Sequence, residues 1–229
     1  MANSFPIYLL SLAALTGYAD LKANVSLSHS AEVSGVFGAA FVNAGAEDTP
    51  ARIGTRLAPG TTIRTESGAA MDVYLGKEAG VIRLTQNTTV RIERLADTNG
   101  QSEIYLHLQR GTILGNSARD TGGSRNSGRH ASGYQIKTAV GIAEAASSAF
   151  RLHSEGYLVV LNGAAHFAHV PATGEPKLYS LNAPPAVYFS PTEGVKPAPK
   201  ELVREIVNQS KARLGQELNE QGPSGGRPK

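Results

Sequence analysis

The sequence predicts an all-β fold closed by one C-terminal helix. Three observations carry that prediction: turn-forming pairs recur along the middle of the chain, the segments between them alternate apolar and polar residues, and Gly is abundant while aromatics are few. Of the 229 residues 25 are Gly, aromatics make up 6%, and there is no Trp. This suits many short strands joined by tight turns rather than a helix bundle. Hydrophobic residues at 41% and charged residues at 18% give enough apolar material for one core and too little charge density for a disordered chain. There is no Cys, so disulfides, thiolate metal sites and Cys nucleophiles are excluded.

The first element is residues 5–19, FPIYLLSLAALTGYA, which carries no ionisable acid or base. Its length and hydropathy match the h-region of an export signal, and Gly17-Tyr18-Ala19 places small residues where a signal peptidase reads them. About fifteen residues is short of the roughly 20 needed to cross a bilayer. Residues 1–19 are therefore read as a signal peptide and the remainder as periplasmic or secreted, with no membrane span after cleavage.

Residues 30–190 are read as the β domain. The pairs Pro59-Gly60, Ser67-Gly68, Asn99-Gly100, Arg110-Gly111 and Asn162-Gly163 mark turns, the last as a hairpin. Between them, Met71, Val73 and Leu75 share one face and Asp72 and Tyr74 the other; Val81, Arg83 and Thr85 interleave with Ile82 and Leu84. Val90 and Ile92 point inward, as do Ile104, Leu106 and Leu108, leaving their polar neighbours for water. One-sided strands must curl or stack, and a barrel, a sandwich or a short solenoid would each serve.

Residues 115–133, GNSARDTGGSRNSGRHASG, lack any large apolar residue and are expected to form a flexible loop. The chain's formal net charge of +3 is concentrated here: between Arg110 and Arg129, four Arg face a single Asp. Arg119, Arg125 and Arg129 are thus candidates for contact with an acidic partner. A nucleic-acid binder would instead spread a basic stripe along an ordered face with aromatics among it. Strands resume at 134–138, 148–153 and 157–161, and residues 171–199 read as one closing strand, Ala186 to Phe189, followed by a linker. A helix is expected over 199–218, with Pro199 at its first position and Val203, Val207, Ser210, Leu214 and Leu218 on one stripe. Residues 219–229 read as a disordered tail.

Four blocks in this order resemble the FecR domain family over about residues 50–168. They are Gly54 to Thr65 with Ser67-Gly68-Ala69, Leu84 to Val90, Leu108-Gln109-Arg110-Gly111-Thr112-Ile113, and Tyr134 to Ala143. Thr85 and Gln86 stand near a usual Pro, Ala139 replaces another, and Ala146-Ser147-Ser148 stands where Arg-Gly-Thr is common. The resemblance implies a β-solenoid, β-roll or sandwich of short strands. It also implies a periplasmic signalling role: family members relay a transporter's signal to a sigma factor through a cytoplasmic segment and one membrane helix. Residues before 20 leave no room for that segment, so relay by this chain alone is not expected.

No nucleophile elbow, phosphate-binding Gly loop or metalloprotease helix is present, so neither catalysis nor a cofactor is expected. His166 and His169, three apart on a strand, should lie on opposite faces and share no metal; His107 should face solvent. Asp72, Glu93, Glu144 and Glu155 could meet in space as paired carboxylates. Three functions are consistent with the sequence: a sensory module contacting another envelope protein, a module for cell-wall or anionic exopolysaccharide using the basic loop with Tyr74, Tyr105 and Tyr157, and a hydrolase on a β scaffold.

Overall fold

A computed structural model of the chain describes residues 31–45, 47–76, 79–98, 101–116 and 133–220, with the side chains of 97, 98, 101, 102, 133, 146, 147 and 211–220 excepted. The expected signal segment 1–19, residues 221–229 of the expected tail 219–229, and Arg119, Arg125 and Arg129 lie outside the described residues, whereas residues 219 and 220 belong to the helix. The described residues form sixteen strands and one helix. In chain order the strands are β1 Ala31–Phe37, β2 Ala40–Asn43, β3 Thr49–Pro50, β4 Arg56–Leu57, β5 Thr62–Thr65, β6 Ala70–Tyr74, β7 Val81–Leu84 and β8 Thr89–Thr98. They continue with β9 Gln101–Arg110, β10 Thr112–Asn116, β11 Gly133–Thr138, β12 Gly141–His153, β13 Leu158–His169, β14 Lys177–Ala183, β15 Val187–Ser190 and β16 Gly194–Pro197, and the helix α1 is Lys200–Glu220. The fold is all-β with a C-terminal helix, as the punctuation and alternation predict.

The strands form one continuous sheet that splits into two layers along the β12–β13 ribbon. On one edge β12 pairs through Gly141–Ala146 with β11 and through Ala149–His153 with β10; its register with β13 shifts between Ala146 and Ala149. β13 divides in the same way, giving Gly163–His169 to β14 and Leu158–Val160 to β15. One layer therefore runs β3-β2-β5-β8-β9-β11 into the ribbon and on to β14. The other runs β4-β1-β6-β7-β10 into it and on to β15 and β16. The only parallel pair among these is β9 with β11, which rules out a solenoid of stacked parallel strands and leaves a sandwich-like arrangement.

Register aligns the inward residues in rows. In the first layer Ile92, Leu106, Ile136, Ala143, Phe167 and Tyr179 lie side by side; in the second, Met71, Leu84, Ile113, Leu152, Leu158 and Phe189 do. The rows face one another: Phe189 lies 4.7 Å, centroid to centroid, from both Phe167 and Tyr179, and Tyr134 lies 5.7 Å from Phe150. All but Tyr179 belong to one contiguous buried cluster, and Tyr179 is half-buried against it. The inward assignments of Val90, Ile92, Ile104, Leu106 and Leu108 hold, each being 1% exposed or less.

Four of the expected features fall differently. Asn162-Gly163 makes no hairpin; it lies inside β13, where Gly163 has φ 84° opposite the register shift of β12. Turn chemistry that supplies a positive φ serves a bulge as well as a hairpin. Residues 171–199 hold three strands rather than one strand and a linker, because β14 and β16 keep mostly exposed side chains and so carry little apolar signal. Pro199 precedes the helix, its carbonyl accepting from the Val203 amide at 3.1 Å. The helix docks through Leu202 and Ile206 rather than through the Val203, Val207 and Ser210 stripe; Ile206 is 1% exposed and Ser210 is exposed.

At the β2–β5 end, Arg64 donates to Asp48 at 2.5 Å and also to Glu66, and its guanidinium covers the Phe41 ring at 4.7 Å. The Arg64 hydrogen bond, followed by that of Asn43 Nδ2 at 3.0 Å, holds the Asp48 carboxyl below the usual carboxylate range. A depressed folded pKa adds stability above the unfolded value, near pH ~4, and that stability is lost as pH falls through the folded value. Asp48→Asn should therefore lower the urea midpoint at about pH 6, and the difference from wild type should shrink progressively as pH falls below the unfolded carboxylate value.

Candidate functional site

The outer face of the second layer is not left to water. Along one cross-strand row stand Asp72, Arg83, Leu114, Arg151, Val159 and Tyr188, on β6, β7, β10, β12, β13 and β15. Helix α1 lies over this row. Leu202 and Ile206 meet Leu114, Val159, Leu161 and Tyr188, and Glu205 pairs with Arg151 at 3.3 Å. Further along, Arg83 Nη1 donates to the Gln209 carbonyl at 3.2 Å. Asp72, read from alternation as water-facing, is in fact buried, and Arg83 is half-buried over it: the guanidinium donates through Nε at 2.8 Å and Nη2 at 3.0 Å to the two carboxylate oxygens, beside the Phe37 ring at 5.7 Å.

Beside the helix runs a polar groove of about 530 Å³. Its floor is Thr85, Thr112 and His153, one wall is Glu205 and Gln209, and the other is formed by the turns carrying Gln86, Asn87, Arg110, Gly111, Ser154 and Glu155. Those turns are held rigidly. Thr88 Oγ1 donates to the Thr112 carbonyl and accepts from the Thr112 amide, both at 3.1 Å, and Thr65 Oγ1 accepts from the Thr88 amide at 3.1 Å. Gly111 has φ 83°, and a Cβ there would run into the Asn87 carbonyl. Asn87 itself has φ 55°, which its short amide side chain tolerates.

Next to the groove, beside its lining residue His153, is an aromatic pair. The Tyr157 ring is parallel to that of Tyr188, 3° between planes and 6.3 Å between centroids, and lies 6.2 Å from the His153 ring. Tyr157 is 37% exposed. Of the three candidate aromatics, Tyr74 is similarly open at 39%, but Tyr105 is half-buried on the opposite layer beneath the Arg94 guanidinium. The carboxylates do not converge: Asp72 pairs with Arg83, Glu93 sits 3.7 Å from Arg91 and from His107, Glu155 lies 3.8 Å from His153, and Glu144 stands opposite His166. His166 Nδ1 is 3.0 Å from Ser180 Oγ on the outer face, while His169 packs beside Phe167 and Phe189. Among the described residues no group of three or more His, Asp or Glu is placed to hold a metal ion, and no helix is long and apolar enough to cross a membrane.

A second feature is the edge at β14. Among the described residues its seven residues pair with β13 alone, and Leu178 is 71% exposed. Register extends it into an outer apolar row with Ala168 and Ile142, the latter 43% exposed. The remaining edges are blunted: β3 and β4 are two residues each, β3 ends in Pro50, and the four-residue β16 ends in Pro197. The groove was missed in sequence because Glu205 and Gln209 meet β10 and β12 only after the whole chain has folded; the outward parity of Arg151 and His153 was its one visible sign.

No protein-family profile matches the chain, and no curated protein does. Among solved structures, the chain is similar to a candidate anti-sigma factor from Parabacteroides distasonis, with a TM-score of 0.43 and 16% identity over 62% of this chain. The alignment spans 62% of that protein's length.

Proposed function

We propose that this chain is an envelope binding and sensory module of the FecR-domain kind, which takes an extended segment of a partner protein onto β14. The observation that carries this reading is that β14 is seven residues long and, among the described residues, pairs on one side only, where the other edges are short or end in proline. Free edge amides and carbonyls template strand pairing, and natural sheets usually protect them. Strand addition draws affinity from main-chain hydrogen bonds and specificity from alternate side chains; here the Leu178–Ala168–Ile142 row supplies an apolar shelf for the latter. The FecR-like blocks and the export-type segment 1–19 support placing this activity in the periplasm or outside the cell.

The test uses the full chain, immobilised and exposed to envelope extract, against the double variant Leu178→Lys/Asn182→Lys. Both positions are exposed on β14, so the variant should fold with an unchanged circular dichroism spectrum. Lysines at an edge oppose strand addition, and the expected result is loss of the captured partner by tenfold or more, about 1.4 kcal/mol. Equal capture by the two proteins, or no capture by either, would overturn the reading.

A further inference from the structure

We propose that the groove beside α1 binds an uncharged saccharide, with one sugar ring stacked on Tyr157 and its hydroxyl groups held by Asn87, Arg110 and Glu155. The proposal stands apart from β14, which lies on the other layer.

Four observations carry it. The groove, at about 530 Å³, is within the range of small-molecule sites. Its lining is mostly polar, and the exposed Tyr157 ring stands next to it, 6.2 Å from the ring of the lining residue His153; polar groups beside an arene suit a pyranose, whose ring face presents C–H groups to the electron-rich aromatic face and whose rim presents hydroxyls. Tyr157 is fixed in orientation by the parallel Tyr188 ring behind it and by His153 beside it, so little side-chain freedom is lost when a ligand stacks.

The fourth observation is the balance of uncommitted polar groups. Among the described residues, Asn87 and Arg110 make no side-chain hydrogen bond or ion pair, and Glu155 has only the 3.8 Å approach to His153. An amide, a guanidinium and a carboxylate together offer donors and acceptors in mixture, which matches hydroxyls that do both. Arg151 and Glu205 are already paired, and Arg110 and Glu155, though not in contact as an ion pair, balance in formal charge, so the two Arg and two Glu of the lining cancel. A site built for an anion would instead gather unpaired cations. The Thr65, Thr88 and Thr112 hydrogen bonds hold the Asn87 and Arg110 turns in place without a ligand, so the site is preformed.

The experiment is a microarray of neutral and anionic oligosaccharides probed with the full chain, followed by calorimetric titration of the strongest neutral binder. Tyr157→Ala should weaken binding by roughly tenfold or more, and Tyr157→Phe should restore it. Asn87→Gly keeps the positive-φ backbone and removes the amide; it should weaken binding several-fold, and serves if Tyr157→Ala disturbs the fold. The Leu178→Lys/Asn182→Lys protein should bind the saccharide as the wild type does, which separates this site from the β14 edge. Retention of anionic glycans alone, retention of none, or unchanged affinity in both Tyr157→Ala and Asn87→Gly would overturn the proposal.

Discussion

Replacing Arg83 by alanine lowers the unfolding free energy by about 3–5 kcal/mol, the range found when one member of a buried ion pair is removed. The Asp72 side chain is 3% exposed and that of Arg83 11%, so neither is hydrated enough to tolerate loss of the other. Removing the guanidinium takes two charge-assisted hydrogen bonds from a desolvated carboxylate, and also the bond to the Gln209 carbonyl that ties α1 to β7. Gly35 is part of the same construction: a Cβ there would sit 3.0 Å from Asp72 Oδ2, so the glycine leaves space for the carboxylate. The companion variant Asp72→Val/Arg83→Met should recover most of the loss, since buried pairs are often replaceable by apolar residues of similar size. Urea denaturation followed by circular dichroism measures both. A loss under about 1 kcal/mol for Arg83→Ala would mean the pair behaves as a surface salt bridge.

Gly115→Val should cost about 3 kcal/mol or more, the upper end of what overpacking a filled core does. Gly115 pairs with Phe150 across β10 and β12, and the ring lies so close to the glycine that a Cβ would come within 2.3 Å of two of its carbons; the Tyr134 hydroxyl would be only 2.8 Å away. Here the glycine is required by space rather than by a positive φ. The Gly115→Val/Phe150→Leu double variant removes the ring that causes the clash and should lose less than the sum of the two single changes, a non-additivity expected of residues in contact. If Gly115→Val unfolds at the wild-type urea concentration, the close packing of Phe150 on β10 is wrong.

The inward half of each strand was legible because alternation with period two reports burial on one face, and Met71, Leu84, Ile92 and Leu106 fall where it places them. The outward half was not. Alternation treats every polar residue as solvated, yet Asp72 and Arg83 are covered by a helix whose contact residue Gln209 is 126 positions away from Arg83. Turn chemistry proved equally one-sided: Pro59-Gly60 and Ser67-Gly68 turn as expected, with φ 89° and 69° at the glycines, whereas Gly163 uses the same freedom inside a strand. β14 escaped notice because an open edge buries only Leu181 fully and so leaves almost no hydrophobic period. In the candidate groove Tyr157 was recognisable as an exposed aromatic, but its parallel partner Tyr188 and the helical wall are products of tertiary assembly.

The position of α1 also fixes an order of events during synthesis. Residues 200–210 leave the ribosome after all sixteen strands, yet they cover Leu114 and Val159 and complete the hydrogen bonding of Arg83. Until they arrive, the second layer carries an uncovered apolar strip and a half-shielded charge pair, the kind of surface that nascent chains present to chaperones. A ribosome stalled before residue 200 should therefore display a protease-sensitive intermediate, and release of the helix should convert it to the resistant form.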